Sequence, residues 1–451
     1  MGGIARKIAE GLFYSSLGNF LIKSFSVIGY IIIIRQLSIH DYGVFVLLTS
    51  MASPLSSYPI MGIGRLFVSN CARLRGGKNF SQLKGLIRDF YLASFLLVII
   101  ILIGVLFFKD ILWADKNFYL LRYFYLICAL GVSQLMLNLV LMLLEIHEKF
   151  REMAVVQIGE SFFRSLLVIS LISKLDISSV AWIYICGKLI ACVVGAYWFF
   201  KILLSYRQTI SEKGVLWRLF KTNGKWEMAR NLLLDITTPA KVWVIKFFTS
   251  VQLVAVFDVA QNVYSFLLNI LPIKTVIFPI ISRIVPNRDL VEIVIVKLKK
   301  YSFFFYLVVF LVAIPGLRYA LAWFAPQYLD NIIIFYLVLL QLFVEVYRLG
   351  QHALNYAFNA QKLLLRLFIF ALLLEIILYP SLSYLFGIFG YVAAWQLEVL
   401  LQGFYNNWEL KRNYNFKISK GWKYFFTFDN YDRLVLNKIK DKIRSYLPKF
   451  N

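Results

Sequence analysis

The chain has 451 residues, 60% of them hydrophobic and 16% charged, with a formal net charge of +24. A water-soluble domain of this length needs far more polar surface, so that class is excluded; long apolar stretches of about 20 residues mark membrane spans. The positive charge is the Lys and Arg excess that multi-pass proteins place in cytoplasmic loops, where it meets anionic lipid headgroups, and it does not point to nucleic acid.

The chain opens MGGIARKIAEGLFYSSLGNF: two basic residues, then a long span with no small-residue cleavage site. This start predicts a first span that stays and inserts the protein. The apolar pattern predicts twelve spans, at 13–35, 42–62, 89–108, 118–144, 152–173, 178–203, 226–248, 252–282, 301–324, 331–359, 362–386 and 388–410. The predicted class is an all-α polytopic membrane protein with two six-helix lobes around a central cleft. The segments 65–88, 201–225 and 283–300 are rich in Lys and Arg, as is the tail from 411. The alternate connections at 36–41, 174–177, 249–251, 325–330 and 387 are short and poor in basic residues. Loop charge therefore predicts a cytoplasmic (inner) membrane protein with both termini in the cytoplasm. None of the outward connections is large enough for a catalytic domain.

Two stretches of the chain echo each other. IHDYGVF (39–45) is matched by VQLVAVF (251–257), and PIMGIGRLFVSN (59–70) by PIISRIVPN (279–287). Offsets of 212 to 220, with the matches in the same order, predict a duplication with parallel repeats. The expected organisation is an N-terminal lobe at 1–205, a C-terminal lobe at 206–410, and a tail at 411–451. In the tail, Leu436, Ile439, Ile443 and Leu447 recur at helical spacing. That pattern fits an interfacial amphipathic helix or a partly ordered basic tail. Cys71, Cys128, Cys186 and Cys192 form no CxxC pair, and the three histidines are scattered. Neither a disulfide, a metal site nor a cofactor is expected.

The stretches RQLSIHDYGVFVLLTS and GRLFVSNCARLRGGKNFSQLKGLIRDF, then VIKFFTSVQLVAVFDVAQNVYSFLLNI with FPIISR, and finally IFGYVAAWQLEVLLQGFYN, run in order along the chain. Together they resemble the polysaccharide-export flippases, the Wzx-like branch of the multidrug/oligosaccharidyl-lipid/polysaccharide exporter superfamily. The resemblance covers essentially the whole chain. It implies a V-shaped two-lobe bundle that flips undecaprenyl-pyrophosphate-linked oligosaccharide between leaflets. It also implies that spans 1 and 7 line the cleft. The chain departs from the family at Lys241, where many relatives have an acid, and at Ala255, which stands where the first repeat has Gly43. Gly43 is expected to let spans 1 and 2 approach closely.

Charges at bilayer depth cost at least ~2.5–3.5 kcal/mol each, so every one needs a reason. A lipid pyrophosphate calls for Arg and Lys inside a cavity. Lys23, Lys188 and Lys241 have no acid three or four positions away and are the first candidates for that role. Arg230 and Asp235 join them on span 7, and the resemblance favours Lys23, Lys241, Arg230 and Asp235 over Lys188. Arg65, Lys274 and Arg283 lie toward the cytoplasmic side, where they either meet the pyrophosphate on entry or obey the positive-inside rule. Glu160 and Arg164 at i,i+4 are expected to pair. Glu345, Arg348 and His352 share one predicted face, as an internal network or a proton relay. Glu375 and Glu398 are lone acids at mid-depth, each either a coupling-proton carrier or the partner of a cation on another helix.

The expected function is flipping of lipid-linked oligosaccharide repeat units, of O-antigen or capsule type, by alternating access. The expected partners are that substrate, anionic membrane lipids, and a polysaccharide polymerase with its chain-length regulator. Two alternatives stand beside it. A multidrug or organic-cation exporter would share the fold but call for an acidic cavity. A membrane glycosyltransferase or polymerase would need a catalytic carboxylate set or a large outward loop. The chain is not expected to be an enzyme.

Overall fold

The computed structural model describes residues 20–107 except 61, 122–269 except 208 and 222–224, 281, 287–357, 361–416, 427 and 432. Among these residues every regular element is a helix. The first half comprises α1 (20–36), α2 (Ile39–Ser57), α3 (Gly64–Gly76), α4 (Phe80–Phe107), α5 (Phe124–Ile146), α6 (Phe150–Ser170) and α7 (Ile177–Ser205). A short helix, α8 (Val215–Leu219), sits in the connection. The second half comprises α9 (Lys225–Phe248), α10 (Val251–Leu268), α11 (Arg288–Phe324), α12 (Ile332–Leu339), α13 (Gln341–Arg348) and α14 (Gln351–Ala357), then a helical pair α15 (361–386) and α16 (388–414).

Among the described residues, nine stretches are long and apolar enough to cross a bilayer, and one of them, Leu363–Tyr414, is the α15–α16 pair and crosses twice. Adding α1 and the charged α9 gives twelve crossings. Local chemistry fixes the helix starts. Ser38 caps α2 by accepting from the Asp41 amide, and Ser250 caps α10 by accepting from the Leu253 amide. These two caps stand 212 residues apart, the offset of the sequence repeat. Asp176 and Ser179 form a reciprocal capping box at α7.

Three expectations need correction. First, the basic segments 65–88 and 288–300 are largely helical rather than loops. Helix α11 starts at Arg288, thirteen residues before the predicted span, and α3 with the first turns of α4 fills most of 65–88. Lys and Arg end an apolar run but are good helix formers, so the helices continue past the apolar layer. Second, the predicted span 331–359 is three helices. Leu349 leaves helical geometry (ψ 132°) between α13 and α14. Third, Gly43 does not serve the α1–α2 turn. A Cβ there would stand 2.1 Å from the Val251 carbonyl oxygen, so its missing side chain admits α10 of the other half.

That contact belongs to a sealed end, where the connections 36–41 and 249–251 lie. Gln327 donates there to the carbonyls of Ile34 and Leu37. Helix α2 packs on α5 and α7 of its own half and on α9 and α10 of the other. The largest buried core runs across this seam, through Leu48, Val254, Ala255 and Phe335. At the opposite, basic end each half keeps its own core: Phe67, Phe90 and Leu143 in one, Ile281, Ile295 and Leu354 in the other. The inter-half connection lies on the first half, where Lys84 donates to the carbonyls of Arg207 and Thr209. Glu212 pairs with Arg218 there, which holds its carboxyl below the usual range.

The tail returns to the second half. Asp432 is buried and accepts from Lys297 (2.9 Å), Lys300 (2.6 Å) and the Tyr301 hydroxyl (2.6 Å), all on α11. Lys300 also donates to the Thr427 carbonyl. The predicted amphipathic positions 436–447 lie outside the described residues.

Two outcomes are expected. Gly43→Val should prop the sealed end apart: in a cysteine-free background, a Leu37→Cys/Gln327→Cys pair should cross-link with Gly43 present and fail to do so with the valine variant. Asp432→Ala strands two buried ammonium groups and should cost roughly 3 kcal/mol, read as a lowered melting temperature. The triple variant Asp432→Leu/Lys297→Met/Lys300→Met, which removes the charges together, should recover most of it.

Candidate functional site

Helix α9 carries Arg230 and Lys241 three turns apart, so both point along one face. Lys241 reaches the α15–α16 pair. Its Nζ lies 2.8 Å from Glu375 on α15 and 3.1 Å from Glu398 on α16, and it sits over the Tyr379 ring at 5.2 Å. Tyr379 donates its hydroxyl to Glu398 at 2.8 Å. The pair turns at Gly387 (φ 59°), a left-handed geometry that glycine adopts without strain. Glu375 and Glu398 lie twelve residues before and eleven after that turn, so the hairpin brings them level. One ammonium thus holds two carboxylates from two helices.

The cluster opens into a cavity of about 410 Å³ in the second half, bounded also by Arg230, Glu345, Arg348 and His352. Arg348 lies 3.9 Å from Glu345 and 3.1 Å from His352 Nε2. These three do not share one helix, because Leu349 breaks it, yet all face the cavity. Buried amides support the cavity wall: Gln351 donates to the Gly403 carbonyl and to Asn407, and Asn355 to Asn406. Among the cavity-lining residues, Lys241 is held by two carboxylates and Arg348 stands by a third, partners that an incoming anion can displace, while Arg230 donates to the Asn231 side chain.

A second cavity, about 440 Å³, lies in the first half against α10. Tyr30, Tyr42 and Tyr184 supply rings, Gln134 and Asn262 amides, and Lys188 the ammonium. Asp258 of α10 closes it, accepting from the Tyr42 hydroxyl (2.6 Å) and from Asn262 (2.9 Å). Asn262 also donates to the Tyr30 hydroxyl. On α6, Arg164 pairs with Glu160 at 2.8 Å and donates to Ser26 of α1.

The candidates therefore separate. Arg230, Lys241, Glu345, His352, Glu375 and Glu398 converge on the second-half cavity, and Lys188 lines the first-half one. Asp235 sits beside Ser57 of the first half, away from both. Lys23 is exposed on α1 and lines neither cavity. The side chain of Arg65, together with Lys274 and Arg283, lies outside the described residues. Glu375 and Glu398 are not lone acids, because Lys241 serves both. The Tyr30–Tyr42–Asp258–Asn262 network carries no sequence signal beyond the acid at Asp258, since it joins side chains more than 200 residues apart. No group of three metal-ligating side chains occurs among the described residues.

Two helical halves sealed at one end, each with a polar cavity at bilayer depth, define a multi-pass membrane transporter. The solved structures it resembles have this fold. It matches an inward-facing multidrug resistance MATE family transporter of the MOP superfamily with TM-score 0.72 and 14% identity over 86% of this chain and 94% of the other. It matches a MOP superfamily transporter from Pyrococcus furiosus, described as having a binding pocket of reversed polarity, with TM-score 0.60 and 15% identity over 90% and 95%. The Vibrio cholerae MATE transporter VcmN in its bent form matches with TM-score 0.59 and 15% identity over 92% and 99%. No curated protein matches. Residues 8–285, more than half of the chain, match the polysaccharide biosynthesis protein family model, and the chain belongs to that family.

Lys241→Ala leaves two carboxylates facing each other inside the bundle. It should lower the melting temperature in detergent, and adding Glu398→Gln should restore most of the loss. Additive losses in the double variant would show that the three groups act independently.

Proposed function

We propose that this protein flips undecaprenyl-pyrophosphate-linked oligosaccharide repeat units across the cytoplasmic (inner) membrane, both termini facing the cytoplasm, by rocking residues 1–205 against 206–410. The observation that carries this reading is the second-half cavity of a polysaccharide-biosynthesis family chain, where Arg230, Lys241 and Arg348 gather at bilayer depth. Concentrated phosphate charge is what such cations recognise. Glu375 and Glu398 hold Lys241, and Glu345 stands by Arg348, while the cavity is empty, and each carboxylate can be exchanged for a phosphate oxygen. Transport then requires the sealed end to part at Gly43–Val251 and at Tyr42–Asp258, while the basic end closes.

Within this reading Glu345, His352, Glu375 and Glu398 are the coupling candidates, because a cation drawn to substrate leaves a carboxylate able to take a proton. The tail at 411–451 and the basic end would meet anionic lipids, and a polymerase with its chain-length regulator would act on the delivered units. An organic-cation exporter would need free acids in the cavity, and Lys241 occupies two of the three.

The test uses a host whose surface polysaccharide depends on this protein. Arg230→Ala and the stability-matched Lys241→Ala/Glu398→Gln variant should each lower surface polymer by about tenfold or more, the loss expected when a buried charge contact is truncated. Lipid-linked units should accumulate at unchanged protein amount. Normal export by both variants, or altered tolerance to ethidium with normal export, would reject the reading.

A further inference from the structure

The first-half cavity differs in chemistry from the second-half one. Its walls are tyrosine rings, hydroxyls and side-chain amides. At about 440 Å³ it falls within the range of small-ligand cavities. Ring faces pack on the C–H faces of a sugar, and planar amides match its hydroxyl pairs.

The charges there are almost all committed. Arg164 is held by Glu160 at 2.8 Å, and Asp258 by Tyr42 and Asn262. Lys188 is different. Its ammonium stands 6.0 Å from the Tyr184 ring centre, and no carboxylate of the described residues lies within ion-pair distance. Gly187, its neighbour, is packed against Arg164 Cβ, which holds the backbone at this point of α7 close to α6. So Lys188 is anchored, half-buried, and directed into the cavity, in the field of Glu160 but without an ion pair among the described residues, because that carboxylate is already held by Arg164. A half-buried ammonium placed in this way gains by pairing with an anion that enters the cavity.

We propose that the first-half cavity is a saccharide subsite and that Lys188 selects a sugar acid there by pairing with its carboxylate. The inference rests on the flippase reading and deepens it: the pyrophosphate goes to the cations of the second half, and the sugars to the first. Tyr42, Asp258 and Asn262 belong to both the subsite wall and the seam between halves, so an occupant touches both halves at once.

The test uses the full chain in nanodiscs and three soluble probes: cellobiose, its uronic-acid counterpart cellobiouronic acid, and inorganic pyrophosphate. Isothermal titration should show the acidic disaccharide binding roughly tenfold more tightly than the neutral one. Lys188→Gln should remove that preference and Lys188→Arg restore it, with melting curves confirming that each variant is folded. Equal binding of the two disaccharides, no binding of either, a preference surviving in Lys188→Gln, or pyrophosphate competing through Lys188 would each overturn the proposal. Flipping of a fluorescent lipid-linked saccharide by the unaltered protein in proteoliposomes separates the two failures: if flipping proceeds while the disaccharide result is negative, only the subsite assignment falls.

Discussion

An ammonium group inside a bilayer must find negative charge within reach, and the architecture of the second half follows from how Lys241 does so. It draws Glu375 and Glu398 to one point, and with them α15 and α16 to α9. The Gly387 turn fixes the register that makes both carboxylates available at the same depth. Tyr379 then donates its hydroxyl to the same Glu398 oxygen that the lysine holds, so one carboxylate oxygen takes both donors. Each of these groups would be costly alone; with Arg230, Arg348 and Glu345 they make a cavity wall of three cationic and three acidic side chains.

The two halves are built alike but equipped differently. Both start their second helix from a serine cap at equivalent positions, and both carry a polar cavity. One cavity is dominated by mutually neutralising charges, the other by rings and amides. The frame is shared, and the chemistry differs at a few inward positions. The seam joins them through a shared apolar core, and its polar contacts are individually weak: the close backbone approach at Gly43, the Tyr42–Asp258 and Tyr30–Asn262 bonds, and two Gln327 amide bonds to carbonyls. Such a seam can open without dismantling either half.

Much of the fold was legible because apolar runs of bilayer length report spans directly. The corners at 36–41, 249–251 and 387 were visible for the same reason, as the short breaks between those runs. What the pattern could not reveal was set by distance along the chain. Lys241 reads as an unpaired cation because Glu398, its partner, is 157 residues away. Gly43 reads as serving its own turn because nothing local points to Val251. The helical identity of the basic segments was hidden for another reason: hydropathy reports where the apolar layer ends, and α11 continues beyond it. The break at Leu349 fell among polar residues that read as one helical face, Glu345, Arg348 and His352, and its local signal was Gly350 (φ 82°) directly after it.

The Asp432 contact has a consequence for biogenesis. Lys300 and Asp432 are 132 residues apart. At about 5–20 residues per second, the ribosome delivers the aspartate on the order of ten seconds after the lysine. During that interval α15 and α16 are being inserted, while the basic end of α11 carries ammonium groups without their final counterion. That end must therefore stay wet during assembly and dry only when the last segment docks. Docking of Asp432 thus acts as a mark that distinguishes a chain extended through this segment from one stopped after α16.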